Sequence, residues 1–202
     1  ALGQGVPFFF AGEDMLRSKS LDRDSYNSGD WFNEIDWSYQ DNNWGRGLPI
    51  KGRDKWFIFS HLLADESRKP THKDIVFAVD NFRAFLKIRK SSILFRLRTA
   101  EQVLQCVKFY NCGPQQIPGL IVMRLEDNCG LDSLYNSVLV LFNSNPGAVN
   151  FGHTDFGGAE YYLHPALANG PDPLQAKGSF NPELGEFVVP ARTTTVYVLP
   201  KK

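Results

Sequence analysis

The chain has 202 residues, 22 Lys plus Arg against 22 Asp plus Glu, and is 43% apolar and 13% aromatic. That composition supports a sizeable core and excludes a disordered chain, while a formal charge of zero excludes a global field for nucleic acid, anionic lipid or polyanionic substrates. No apolar run approaches the roughly 18 residues that a membrane helix needs, and Cys106, Cys112 and Cys129 lack C-x-x-C spacing, which points to a reducing compartment.

In chain order, Ala1–Gly5 carries neither an initiator Met nor a basic leader and runs into Val6-Pro7-Phe8-Phe9-Phe10-Ala11. So apolar a run reads as a strand buried on both faces, the pattern of a parallel sheet flanked by helices. Nothing up to about Thr71 supplies its partners, so the sequence predicts the C-terminal part of a larger protein. Gly12 to about Pro49 has no sustained period yet is dense in Asp, Asn, Ser, Gly and aromatic residues, which predicts a long, ordered and functional loop. Residues 50–71 form a mixed polar segment anchored by Trp56, Phe57, Ile58 and Phe59. Ile75, Val79, Phe82, Leu86 and Arg89, widened by Ala78 and Phe85, predict an amphipathic helix over Lys73–Lys90 with Thr71 as N-cap.

Beyond residue 91 the texture changes to a β-sandwich. Strands are predicted at 119–125, 137–143, 148–151, 159–163, 185–189 and 193–199, with turns at Gly113-Pro114, Asp127 to Asp132, Asn145-Pro146-Gly147 and Asn169 to Pro173.

The block Leu16 to Asn33 interleaves Asp, Arg and Asn with Tyr and Trp. Carboxylates and guanidinium groups hydrogen-bond vicinal hydroxyls and flat rings cover the apolar faces of a sugar, so the mixture suits a polyol. The bland alternative is that these residues pin a long loop through Asx and Ser turns. An EF-hand fails, because the fifth and sixth positions counted from Asp22 are Tyr26 and Asn27; calcium stays an open reading without an argument, and no cofactor is expected. Glu13, Asp14, Asp22, Asp24, Asp30 and Asp54 are candidate acids by residue type, and His61, His72, His153 and His164 share no metal spacing. No phosphate loop, dinucleotide fingerprint or nucleophile elbow is present.

The sequences Gly5 to Asp14, Leu16 to Ser20, Arg23-Asp24-Ser25-Tyr26-Asn27-Ser28-Gly29-Asp30-Trp31-Phe32-Asn33 and Asn42-Asn43-Trp44-Gly45 resemble the pullulanase-type starch-debranching enzymes of the α-amylase superfamily, the plant and algal limit dextrinases above all. Leu86 to Leu97, Gly119 to Met123 and Val189 to Thr193 extend the resemblance over nearly the whole chain. It implies that Val6 to Ala11 is the eighth strand of a TIM (β/α)8 barrel, that residues 1–91 hold this strand, a substrate loop and closing helices, and that 92–202 are a C-terminal antiparallel β-sandwich. It implies hydrolysis of α-1,6 branch linkages in pullulan, limit dextrins and amylopectin with retention, by acids upstream of this chain, so that the segment alone is inactive. Arg23 and Asp24 would contact a glucose on the non-reducing side of the cleaved bond. Asp54 would join them, and Tyr26, Asn27, Trp31 and Asn33 would shape the loop. The implied partners are the α-glucan and the rest of the barrel, with neither nucleic acid nor membrane, and the implied location is the plastid. The rival readings are a non-catalytic carbohydrate-binding or assembly subunit derived from such an enzyme, and a stand-alone binding module whose strand Val6 to Ala11 a partner would cover.

Overall fold

Residues 120–126, 135–143 and 193–200 carry long apolar runs, a pattern stable as strand only where both faces are covered. In the computed structural model, which describes residues 1–202, they form β2 (Leu120–Glu126), β3 (Tyr135–Asn143) and β8 (Thr193–Pro200). With β1 (Val107–Tyr110) and β5 (Tyr162–Leu163) they build an antiparallel sheet in the order β1-β2-β3-β8-β5. A second antiparallel sheet has the order β4-β7-β6, from β4 (Val149–Gly152), β6 (Ser179–Asn181) and β7 (Glu186–Val189). Strands β1 and β6 lie outside the predicted set, and β5 is shorter than expected; all three are edge strands whose half-polar sequences carry little period.

Helices α1 (Asp30–Asn33), α2 (Trp56–Leu63), α3 (His72–Ser91), α4 (Ala100–Cys106) and α5 (Pro165–Ala168) complete the regular structure. The chain divides into two compact units, Phe8–Phe82 and Ala1–Pro7 with Arg83–Lys202, so that the division falls inside α3.

The β-rich unit has two cores, and alternation along the strands feeds both. Val138 and Val140 of β3, Met123 and Leu125 of β2, and Val196 and Val198 of β8 meet Ile88, Leu94, Phe95 and Leu167 on one face of the larger sheet. Leu139 and Leu141, Val122 and Tyr197 point the other way and meet Phe151, Phe187 and Val189 of the smaller sheet with Phe156 and Tyr161. The larger sheet is therefore sandwiched between helical segments and the smaller sheet, which explains why β3 reads as a continuous apolar run. Asn143 ends β3 and ties the sheets together: its Nδ2 donates to the carbonyls of Gly147 (3.0 Å), Val189 (3.2 Å) and Pro190 (2.9 Å) while its Oδ1 accepts from the Asn145 N–H (3.0 Å).

Helix α3 begins as the sequence predicts. The Thr71 hydroxyl accepts from the Asp74 N–H (3.3 Å) and the Asp74 carboxylate accepts from the Thr71 N–H (2.8 Å), a reciprocal cap. Ile75, Val79, Ala84 and Ile88 are buried along it. Arg89 is buried for a different reason, since its guanidinium donates to the carbonyls of Ala1 (2.9 Å), Gly3 (2.6 Å) and Gly5 (2.6 Å). It holds an irregular segment whose backbone has no ladder of its own.

The strand expected over Val6 to Ala11 is not formed. No sheet contains the segment, and Val6 and Phe8 are 96% and 95% exposed. A parallel strand needs neighbours to receive its N–H and C=O groups, and this chain supplies none; no part of a TIM barrel is assembled in it. No helix is long and apolar enough to cross a membrane.

His164 caps α5 through Nδ1, which accepts from the Ala166 N–H (3.1 Å), so Nε2 carries the proton and donates to the Ser91 hydroxyl (3.1 Å). Burial lowers its pKa from 6.5 to about 4. Between those values the unfolded chain takes up a proton that the folded chain refuses, so the stabilisation is complete above pH 6.5 and is lost as pH falls toward 4, by about 3 kcal/mol. His164→Asn keeps a cap and removes the titration, so its urea midpoint should depend less on pH between 6.5 and 4 than that of the natural chain; parallel curves would refute this. Phe187 is fully buried against Phe156, Tyr161, Phe180 and Tyr197. Phe187→Ala should cost about 3–5 kcal/mol in urea unfolding, and a loss below 1 kcal/mol would mean that the two sheets do not share this core.

Candidate functional site

The stretch 12–49 is a long loop, as its composition predicts, and its own side chains supply the hydrogen bonds that a helix or sheet would otherwise provide. Asx and Ser turns recur along it: Ser18 Oγ accepts from the Ser20 N–H (2.9 Å), Asp22 Oδ1 from Asp24 (2.9 Å), Asp36 Oδ1 from Ser38 (2.9 Å), Asp41 Oδ1 from Asn43 (2.7 Å) and Asn42 Oδ1 from Trp44 (3.1 Å). Arg17 clamps across the loop, donating to the carbonyls of Ala11, Asn33 and Glu34. Lys19 donates to Ser25 Oγ (2.8 Å) and Asn33 Oδ1 (3.1 Å), and Asn33 Nδ2 returns to the Ser25 carbonyl (2.7 Å). Asn33 thus shapes the loop, and Arg17, Ser18, Lys19 and Ser25 pin it as well.

What this frame presents is a short projecting segment. Ser20 (φ 49) and Leu21 (φ 64) take left-handed conformations that turn the chain sharply. The buried Ser20 hydroxyl fixes that turn, donating to the Asn43 carbonyl (3.0 Å) and accepting from the Arg46 N–H (3.0 Å). Asp22, Arg23 and Asp24 follow and form one wall of a cleft of about 280 Å³. The facing wall is the helical segment Ile50–Lys55, kinked at Gly52 and anchored where the Trp56 indole donates to the Pro49 carbonyl (2.7 Å). A Cβ at Gly52 would lie 2.9 Å from the Phe59 ring, so a larger residue there would shift that ring, which also lines the cleft.

The structure thus brings Arg23, Asp24 and Asp54 to one cleft, with Asp22, Lys51, Lys55 and Phe59 beside them. Three carboxylates and three cations line it, a balance that suits a neutral ligand rich in hydroxyls better than an ion. Lys51 escapes sequence reasoning, since it stands in an unpatterned segment. Its ammonium lies 2.6 Å from Asp24 Oδ2 and 4.2 Å from the centre of the Tyr26 ring, and the carboxylate holds its pKa above the ordinary lysine value. Asp22, one of the candidate acids by residue type, is buried in the cleft wall, and its Oδ2 has no hydrogen-bond partner. Trp31 and Tyr26 remain exposed on the same loop. No group of three or more His, Cys, Asp and Glu side chains is arranged to hold a metal ion.

Residues 39–200 match the family described as alpha-1,6-glucosidases, pullulanase-type, C-terminal. The chain is 46% identical over 98% of its length to Pullulanase 1, chloroplastic, of Arabidopsis thaliana, and 32% identical over 99% to the pullulanase of Klebsiella pneumoniae. It spans only 22% and 19% of these relatives. Among solved structures, the maltotriose complex of PulA from Klebsiella pneumoniae superposes with a TM-score of 0.88 at 33% identity, covering all of this chain and 22% of that one. PulA from Klebsiella oxytoca gives 0.86 at 32% identity, over all of this chain and 19% of the other. The sandwich, the loop motif and these matches agree, and the chain belongs to the pullulanase-type α-1,6-glucosidase C-terminal family.

Proposed function

We propose that this chain is the C-terminal part of a plastid starch-debranching hydrolase that cleaves α-1,6 linkages in pullulan, limit dextrins and amylopectin with retention. It contributes substrate-binding residues, and the catalytic acids lie upstream in the barrel, so the segment alone hydrolyses nothing. The observation that carries this reading is the convergence of Arg23, Asp24 and Asp54 on one charge-balanced cleft, two of them from a loop and one from a facing helical segment. Val6 to Ala11 is read as the eighth barrel strand, completed only beside the preceding strands. Residues 1–91 then close the barrel and 92–202 form the covering β-sandwich. The chloroplast name of the Arabidopsis relative supports the plastid.

A second reading draws on the exposure of Val6 and Phe8: a non-catalytic binding or assembly subunit would bury the same residues against a different partner. The intact mass and N-terminal sequence of the natural protein separate the two. A mass several times that of this chain, with Ala1 internal, supports the enzyme; a mass near 22.8 kDa supports the subunit.

In the full-length enzyme Asp24→Ala should raise KM for pullulan by about 5- to 150-fold, the equivalent of about 1–3 kcal/mol for a lost hydrogen bond to bound sugar, with kcat changed far less. Unaltered steady-state kinetics would remove Asp24 from the binding site.

A further inference from the structure

The three cysteines are not equivalent once the chain is folded. Cys112 is exposed, and its nearest polar contact is a backbone carbonyl, that of Tyr110 at 3.4 Å. Cys106 is the last residue of α4 and is 1% exposed, while Cys129 lies half-buried in the turn between β2 and β3. Their sulfur atoms are 3.0 Å apart. We propose that Cys106 and Cys129 are a modification site, a dithiol that closes reversibly to a disulfide and pins the end of α4 to the β2–β3 turn.

The surrounding bonds hold both sulfurs in position. Asn128 Nδ2 donates to the Gln105 carbonyl (2.8 Å), stitching the residues that flank the pair, and Cys129 Sγ also contacts Gln105 Oε1 (3.1 Å). The turn is fixed from the other side by Asp127, whose carboxylate accepts from the Leu131 and Asp132 N–H groups (2.6 and 3.1 Å) and pairs with Lys201 (2.7 Å). Disulfide formation demands close approach of two Cβ–Sγ vectors, and the 3.0 Å between these sulfur atoms brings the reacting atoms together. Cys106 leads directly into β1, the edge strand of the larger sheet, so the cross-link encloses β1 and β2 in a covalent loop.

The exchange needs an external disulfide, of which oxidised glutathione is the simple example. The Cys129 thiolate attacks one sulfur of it, forming a mixed disulfide and expelling one thiol. Cys106 then attacks Cys129 Sγ, expelling the second thiol, which takes up the proton that Cys106 gives up. Two cysteine thiols are oxidised, one external disulfide is reduced to two thiols, and a dithiol reductant reverses both steps. The order follows from access, because Cys106 is 1% exposed whereas Cys129 is only half-buried, and burial pushes the Cys106 thiol up to about 11, which makes it the poorer first nucleophile.

The test uses the protein at its full natural length. It is equilibrated with oxidised glutathione or with dithiothreitol, its free thiols are alkylated, and its peptides are mapped by mass spectrometry. The expected result is a linked Cys106–Cys129 peptide pair, two hydrogens lighter than the separate peptides, that forms in the oxidised sample and disappears on reduction, with Cys112 outside the link. Amide exchange over Val107–Tyr110 should slow by at least about threefold in the linked form. Cys129→Ser, a near-isosteric change, should abolish the link and leave that exchange rate independent of the redox buffer. Recovery of Cys106 and Cys129 as free thiols from the oxidised natural protein, or a glutathione adduct on Cys129 that never resolves, would overturn the proposal without touching the glucan-hydrolase reading.

Discussion

A long loop must satisfy its own backbone. Every N–H and C=O that a helix or sheet would pair has to find a side chain or water, and burying one without a partner costs free energy comparable to a lost hydrogen bond. Residues 12–49 meet that demand with short polar side chains that bond two residues onward and with Arg17, Lys19 and Asn33 reaching across the loop. The cleft depends on this accounting. Arg23 and Asp24 are held at the cleft because Ser20, Asn43 and Arg46 lock the turn that precedes them.

That same demand explains why composition alone leaves function ambiguous in this loop. Asp, Asn, Ser and Arg are the residues that bind sugars and also the residues that pin loops. The structure sorts them by what they touch: Arg17, Lys19, Asn33 and Asp36 bond to backbone and side-chain partners within the loop, whereas Arg23, Asp24 and Asp54 line the cleft, Asp24 paired there with Lys51. Asp54 reaches the cleft through a helical segment of no clear period, so its place was legible only through resemblance to a family. Lys51 was illegible, since no pattern distinguishes an exposed lysine that reaches a carboxylate from one that does not.

The sheets are more legible in the sequence. Runs such as Val138 to Phe142 announce strands covered on both faces, and Gly and Pro turns bound them. The edge strands β1 and β6 escaped, because a strand paired on one side and half-wet carries a weak signal. The segment Val6 to Ala11 failed in an instructive way. Its composition is that of a buried strand, but a strand is a property of a set of neighbours, and the chain lacks them. Arg89 shows the converse, a charged residue on an apolar helical stripe that is buried because three carbonyls receive it.

The order of the larger sheet also fixes an order of assembly. β1, β2 and β3 are sequential hairpin neighbours, so their pairing closes short loops, but the ladder of β3 with β8 joins Leu139 to Tyr197 across all of β4 to β7. Closing that distance gives up chain entropy before any contact rewards it. The three-stranded meander is therefore the natural early structure, with the inner edge of β3 open and apolar until β8 arrives. During that interval the strand that becomes the most deeply buried in the unit is the one most available to a wrong partner.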